Sequence, residues 1–338
     1  MLGDRLYMGT LSDAQFEAAL KAIENDDATA EEKAEMLMEM AMGIQQKPKS
    51  ASQILDAIQL YERAAEICPD GAILLRARIK ARQATAYQTL PTGGNEDLYK
   101  AQDGFGDALK IFNQAGLKEE AAETELNLGL VSQALAQNGA GRINDAIQHY
   151  HNALRVFTKD EFPQDFAILH NNLAIAYLSI PMSDERGKMR EALAVQSFEE
   201  VLKVINLIDH PSEYAMIQNN LGNALQYVSS GHALANNLRA VEAYDEALRV
   251  RNPRDTPMEY ANTAANKANV LRNLPDDPED LTKGNRQNMK KSAALYNEAR
   301  EIFHQFGQAD GVANITETLK EIDQEIMSPM TAGNGAVH

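Results

Sequence analysis

The chain has 338 residues, 44% apolar and 24% charged, and a net charge of −17. That balance suits a folded soluble protein and argues against a nucleic-acid partner, because phosphate contacts need clustered Lys and Arg. No run of 18 apolar residues offers a membrane span, and the lone Cys68 excludes an internal disulfide and fits a reducing compartment.

The N-terminal Met1-Leu-Gly-Asp-Arg-Leu-Tyr has no basic segment followed by an apolar one, so it does not read as a signal peptide. The expected location is cytoplasmic. Apolar periodicity predicts a leading helix over 12–25. Helix pairs are expected at 29–46/51–67, 71–90/99–115, 118–137/143–157, 164–180/186–207, 212–228/236–250 and 257–273/285–306. A closing helix over 309–327 carries Lys320, Glu321, Gln324 and Glu325 on one side, as a cap requires. The expected organisation is residues 1–28 as a leading cap, 29–307 as about six helix pairs, 308–327 as a capping helix and 328–338 as a Gly-rich disordered tail.

Repetition is the strongest signal. Tyr61, Phe105, Tyr150, Phe198, Tyr244 and Tyr296 step by 44, 45, 48, 46 and 52 residues. Most sit in the phrase Ala-x-x-x-aromatic-x-x-Ala, as in Ala146-Ile-Gln-His-Tyr150-His-Asn-Ala153. Ahead of each of the last five lies a phrase with a small residue at its centre, at Ala84, Gly129, Ala174, Gly222 and Ala268, with steps of 45, 45, 48 and 46. A small residue marks close approach of another helix. The Ala–aromatic–Ala spacing places all three on one helical face. A fixed period of this size is the signature of a repeat solenoid. The joints repeat too: Asp160-Glu-Phe-Pro163-Gln-Asp-Phe166-Ala167, Asp209-His-Pro211-Ser-Glu-Tyr214-Ala215 and Asp255-Thr-Pro257-Met-Glu-Tyr260-Ala261. Proline with nearby acids suits a first helical turn, and the aromatic three residues on is expected to pack under the previous unit.

The phrases Asn-Leu-Gly-x-x-x-Leu/Tyr and Ala-x-x-x-Tyr-x-x-Ala resemble the two helices of the tetratricopeptide repeat over roughly residues 29–307. The resemblance implies an all-α, right-handed α-solenoid that binds a protein or peptide. The unit here is longer than that family's ~34 residues, and the longer connections fall at 181–188 and 275–284. With the Pro-x-x-aromatic-Ala joint, this looks like bacterial arrays found beside caspase-like proteases, without room for the protease domain.

In such a stack the first helices line the concave surface. Two residues before each small residue stand Arg82, Asn127, Asn172, Asn220 and Asn266; Asn171 and Asn219 lie three before, and Asn223 and Asn269 one after. Asn is a mediocre helix former, so a mid-helix column of Asn calls for another reason. Each amide offers two donors and an acceptor. One reading is a ladder gripping the backbone of an extended peptide; the other is bonding to the neighbouring helix. Gln133, Gln226, Tyr227, Arg272 and Asn273 lie one turn on and extend the same surface. Arg78 and Arg82, four apart, share a face and either capture a carboxylate or pair with Glu35 and Glu39.

Signatures of chemistry are weak. Asn138-Gly-Ala-Gly141-Arg142 lacks the Lys-Ser/Thr of a phosphate loop. His149 and His151, two apart on a helix, face different ways and are poor joint metal ligands. Asp276, Asp277, Glu279 and Asp280 read as a solvated loop, because Pro278 breaks the ligand alternation of a calcium site. Met36, Met38, Met40 and Met42 read as packing of the first pair against the leading helix. The expected protein is non-catalytic, with no cofactor and no metal: a scaffold, adaptor, assembly factor or dedicated chaperone holding a peptide or protein partner. The alternatives are a self-associating structural scaffold, a homo-oligomer through an open end, and an intracellular peptide sensor, for which residues 1–28 are too short to supply a DNA-binding segment.

Overall fold

A computed structural model describes residues 27–46, 50–91, 93–179, 185–228 and 232–327, with residues 21, 23 and 48. Most of the leading helix expected at 12–25 and all of the tail at 328–338 lie outside the described residues. Within them the chain is all-α, with thirteen α-helices, one 3₁₀ turn (Leu281–Lys283) and no strand. The helices are α1 (Ala30–Gln46), α2 (Ala51–Ile67), α3 (Ile73–Gln88), α4 (Asn95–Ala115), α5 (Lys118–Gln137), α6 (Ile143–Ala153), α7 (Pro163–Leu178), α8 (Glu185–Val201), α9 (Pro211–Tyr227), α10 (Ala233–Leu248), α11 (Pro257–Asn273), α12 (Arg286–Gln305) and α13 (Ala309–Met327).

The chain forms two compact units, residues 1–172 and 173–338, and the division falls within α7. In the first, α1 packs on α2, α3 on α4 and α5 on α6; α2 and α4 then pack on the first helix of the following pair, and α1 touches α3 as α3 touches α5. In the second, α8 packs on α9, α9 on α10, α11 on α12 and α12 on α13; α10 packs on α11, and α9 touches α11. Helical pairs in series therefore make the core one layer at a time.

Each layer is built the same way. In five layers an aromatic on the second helix is buried with a small residue on the first: Tyr61 with Ala41, Phe105 with Ala84, Tyr150 with Gly129, Tyr244 with Gly222 and Tyr296 with Ala268; Phe198 and Ala174, at the same positions of their pair, are each buried. Gly129 and Gly222 are the tightest: a Cβ there would lie 2.3 Å from the Tyr150 ring and 2.6 Å from the Tyr244 ring. Glycine's helix penalty of about 1 kcal/mol is offset by an approach no other side chain permits. The small flanking alanines, Ala57 and Ala64, Ala146 and Ala153, Ala240 and Ala247, are fully buried beside the rings.

Pro163, Pro211 and Pro257 open α7, α9 and α11, as the joints predict. Two helices stop earlier than periodicity suggests: α6 ends at Ala153 rather than 157 and α8 at Val201 rather than 207. The joints take over. Asn206 Oδ1 accepts the N–H groups of Ile208 (3.0 Å) and Asp209 (2.9 Å), and Asn252 Oδ1 those of Arg254 (3.0 Å) and Asp255 (2.9 Å), a side-chain turn that ends the helical path. The joint tyrosines differ from expectation as well. Tyr214 donates to Glu246 at 2.8 Å and Tyr260 to Glu298 at 2.6 Å, each on the second helix of its own pair. The acidic loop before α12 is a cap: Asp276 accepts the N–H groups of Gln287 (2.8 Å) and Asn288 (2.7 Å). At the end, Ile315, Leu319 and Ile322 of α13 pack on Tyr296, Ile302 and Phe303, while Lys320, Glu321, Gln324 and Glu325 stay exposed.

Substituting Gly129→Ala or Gly222→Ala should destabilise by about 1–3 kcal/mol, because the ring must give way. Gly43→Ala in α1, where nothing lies within 4 Å of the new Cβ, should instead stabilise by up to about 1 kcal/mol. Urea unfolding of the three variants reads the opposite signs.

Candidate functional site

The ring-facing small residue sets the rotation of each first helix. At about 100° per residue, the position two before it lies roughly 200° round, away from the ring. The position three before lies about 60° from the ring side, and the position four after points back toward the ring. The candidate residues divide along these directions.

In the first unit, Arg78 and Arg82 of α3 reach across to α5, Arg78 Nε to Glu120 at 2.7 Å and Arg82 Nη1 to Glu123 at 3.3 Å. They pair with the following first helix, not with Glu35 and Glu39. The Glu120 carboxylate beside it raises the Arg78 pKa. Asn127 donates to the Glu123 carbonyl of its own helix at 3.0 Å, and its Oδ1 has no partner among the described residues. These bridges nearly fill the α3–α5 cleft, leaving about 40 Å³. The α1–α3 cleft is open, about 480 Å³, with Met42, Ile54 and Pro48 among its walls and Gln45, Gln46, Arg82 and Thr85 at its rim. Further along, Asn171 Oδ1 is buried without a hydrogen bond, and Asn172, half-buried on α7, bonds no other described residue.

In the second unit most amides hold one another. Asn219 Oδ1 accepts from Asn266 Nδ2 at 3.3 Å and lies 3.2 Å from the Thr263 hydroxyl. Asn269 Nδ2 donates to Gln226 Oε1 at 3.0 Å. Asn223 Oδ1 accepts from the Tyr244 hydroxyl at 2.7 Å. Asn220 meets only Asn219 Nδ2, at 3.5 Å. Arg272 pairs with Glu321 (2.9 Å) and Glu325 (2.5 Å), tying α11 to α13. Asn273 donates to the Asn269 carbonyl at 3.3 Å. The Tyr227 side chain lies outside the described residues.

Gln133 and Gln226, expected to extend the concave binding surface, turn instead toward the rings. Four after the small residue stand Gln45, Gln88, Gln133, Leu178, Gln226 and Arg272. Tyr61 donates to Gln45 at 2.8 Å, Tyr150 to Gln133 at 2.9 Å, and Gln226 donates to Tyr244. Gln88 stands in the layer whose ring is Phe105, and its Oε1 is buried and unpaired. The signal was visible as a Gln 16 to 18 residues before each such Tyr. Burial pushes the Tyr61 and Tyr150 hydroxyls well above their ordinary value; burial and Glu298 raise Tyr260 to about 12.

Sequence reasoning also passed over Glu125, which holds His149 Nδ1 at 2.5 Å and Asn152 Nδ2 at 3.1 Å between α5 and α6. Among the described residues no group of three His, Cys, Asp or Glu is placed to hold a metal, and no helix is long and apolar enough to cross a membrane.

No family model and no curated protein matches this sequence. Solved structures do. The assembly chaperone of RpL4, Acl4, is 14% identical with a TM-score of 0.51, over 87% of this chain and 99% of that one. A Rap protein complexed with Competence and Sporulation Factor is 14% identical, TM-score 0.43, over 92% and 80%. The TPR2AB domain of yeast Sti1 in its pHSP90 complex is 15% identical, TM-score 0.28, over 86% and 98%. At such identities the Acl4 likeness shows the fold alone: an all-α helical-repeat solenoid.

Phe105→Tyr should give Gln88 the hydroxyl its counterparts have and stabilise by about 0.5–1.5 kcal/mol, read as a higher urea midpoint. The raised tyrosines predict a second trend. Unfolded tyrosines lose their protons near pH 10 while the folded ones keep theirs, so the unfolded state binds fewer protons above that pH. Stability should therefore hold below pH ~10 and fall as pH rises through 12, in denaturant titrations at stepped pH.

Proposed function

We propose that this chain is a non-catalytic, cytoplasmic scaffold of the tetratricopeptide type, holding an extended peptide or protein segment along its first helices as an adaptor, assembly factor or dedicated chaperone. One observation carries the reading: Asn172 in one unit and Asn220 in the other occur at the same register, pointing away from the rings; Asn172 bonds no other described residue, and Asn220 meets only its neighbour Asn219, at 3.5 Å, with its Nδ2 donors unused by the described residues. Asn127, with an unused Oδ1, is the third rung. A backbone presents N–H and C=O groups at regular intervals, and an amide bonds both. In this reading Asn219, Asn223, Asn266, Asn269 and Gln226 hold the helices in place rather than gripping the partner, and Asn171 is a buried acceptor beside the rungs.

The open cleft between α1 and α3 supports the same reading. Apolar walls from Met42 and Ile54 with a polar rim from Gln45, Gln46, Arg82 and Thr85 suit an apolar side chain of the held segment. Arg78 and Arg82 are spoken for by Glu120 and Glu123, so the segment's fit in this unit rests on shape and amides. Helical pairs in series offer long extended surfaces for partners and no closed core for chemistry. Acl4, which shares the fold, is itself an assembly chaperone.

The test is capture from the source lysate, followed by affinity for the client it names. Asn172→Ala with Asn220→Ala should weaken that client by about 1 kcal/mol per lost hydrogen bond, roughly fivefold each, with helicity unchanged by circular dichroism. Equal affinity for wild type and double variant moves binding off the first helices; concentration-dependent mass without a client points to self-association instead.

A further inference from the structure

Because the units repeat, each position has internal counterparts, and one position breaks its pattern. Six residues before the proline that opens a first helix stand Phe157, Ile205 and Arg251; six after it stand Leu169, Ile217 and Thr263. Phe157, Ile205, Leu169, Ile217 and Thr263 are all buried. The backbone is the same at each joint: the N–H groups of Phe157, Ile205 and Arg251 donate to Ala153, Val201 and Ala247 at 3.0, 2.9 and 3.1 Å. Two joints place apolar residues at these core positions. The third places a guanidinium and a hydroxyl.

Arg251 is half-buried in the second unit. Its Nη1–H donates to Thr263 Oγ1 at 2.7 Å. The Thr263 hydroxyl in turn lies 3.2 Å from Asn219 Oδ1 and 2.9 Å from the Glu259 carbonyl. Nε and Nη2, the side-on fork that matches a carboxylate, meet no acceptor among the described residues, and neither is sealed from solvent. Burial lowers the guanidinium's pKa; Glu259 is the acid whose field reaches it, too far for an ion pair. Removing a charge from water without a carboxylate is costly, and apolar replacement of buried charges is often neutral or stabilising. The counterparts Phe157 and Ile205 are that replacement, already present in the same chain.

We infer that Arg251, backed by Thr263 and Asn219, is a carboxylate-binding subsite of the second unit, and that the segment held there sets an acidic side chain or its C-terminal carboxylate against Nε and Nη2. The segment belongs to the peptide-holding function proposed above; the subsite is testable without any client.

The measurement is the Arg251 Nε–H resonance of the full 15N-labelled chain, assigned by its loss in R251I/T263I. Sodium acetate should shift it saturably, and sodium chloride at equal ionic strength should not. Acetyl-tetra-alanine as free acid and as amide, and acetyl-Ala-Ala-Glu-Ala-amide, then separate chain terminus from side chain. The carboxylate-bearing peptide that fits should bind about tenfold more tightly than the neutral amide. R251I/T263I should stay equally helical, unfold at no lower temperature and lose that preference; if it fails to fold, R251Q gives the same readout. A shift that follows ionic strength alone, or a preference that survives loss of the guanidinium, overturns the subsite. A saturable acetate response beside a client indifferent to Asn172 and Asn220 would keep the subsite and defeat the ladder, so the two failures are distinct.

Discussion

The fold depends on one contact repeated in five layers: an aromatic ring on a second helix seated against a small residue on the first. At Gly129 and Gly222 the approach leaves no space for a methyl group. A large ring buries on the order of 150–250 Å² and dominates its layer, while the small partner lets it do so without spreading the helices. The contact also fixes rotation. Once the small residue faces the ring, the side chain four on must face the ring's edge, the one three before must lie beside the next first helix, and the one two before must point away. Hydroxyl–glutamine bonds, inter-helix amides and outward amides are consequences of one angular setting.

The same geometry is joined by different chemistry in the two units. Between α3 and α5, successive first helices are linked by Arg78–Glu120 and Arg82–Glu123; between α9 and α11, by Asn219–Asn266 and Gln226–Asn269. All four side chains of the ion pairs are about a third to a half exposed, where such bridges contribute at most about 1 kcal/mol. Their effect is therefore on register and surface character rather than stability. They render the α3–α5 face ionic and closed, and leave the α9–α11 face neutral and amide-rich. Arg272 extends the device to α13 through Glu321 and Glu325.

Repetition made the helices legible, because six aligned copies average out local ambiguity; most ends fall within two or three residues of the pattern. The miss at α8 has a local cause, since Asn206 offers the backbone a turn that apolar spacing does not register; after α6 the same position is Thr158, whose hydroxyl accepts the Glu161 N–H at 3.4 Å. The Asn column was also plain in the sequence. What was not legible is which amides are spent inside the fold. That is decided by partners 43 to 47 residues away on the neighbouring first helix, such as Asn266 for Asn219 and Gln226 for Asn269. The glutamine column was legible in principle: Gln45, Gln133 and Gln226 each precede a tyrosine, and only the layer of Phe105 leaves its Gln88 unmatched.

A repeat protein supplies its own reference state, and that changes how a buried polar group is weighed. In a single domain, a half-buried arginine has no internal standard, and its retention is compatible with simple tolerance. Here the same backbone accepts buried Phe157 and Leu169 at one joint and buried Ile205 and Ile217 at another, so an apolar solution to these two positions exists twice in the chain. Departures from a locally consistent pattern concentrate where function has a claim on the residue. Gln88 and Arg251 both depart, but differently. Gln88 follows its column, and because the ring of its layer is Phe105 it meets no hydroxyl. Arg251 breaks its column by gaining a charge, takes Thr263 with it, and leaves its carboxylate-matching edge toward solvent. The absence of one hydroxyl accounts for the first and not the second, in which both ends of one buried contact are polar and the pair lines up with Asn219.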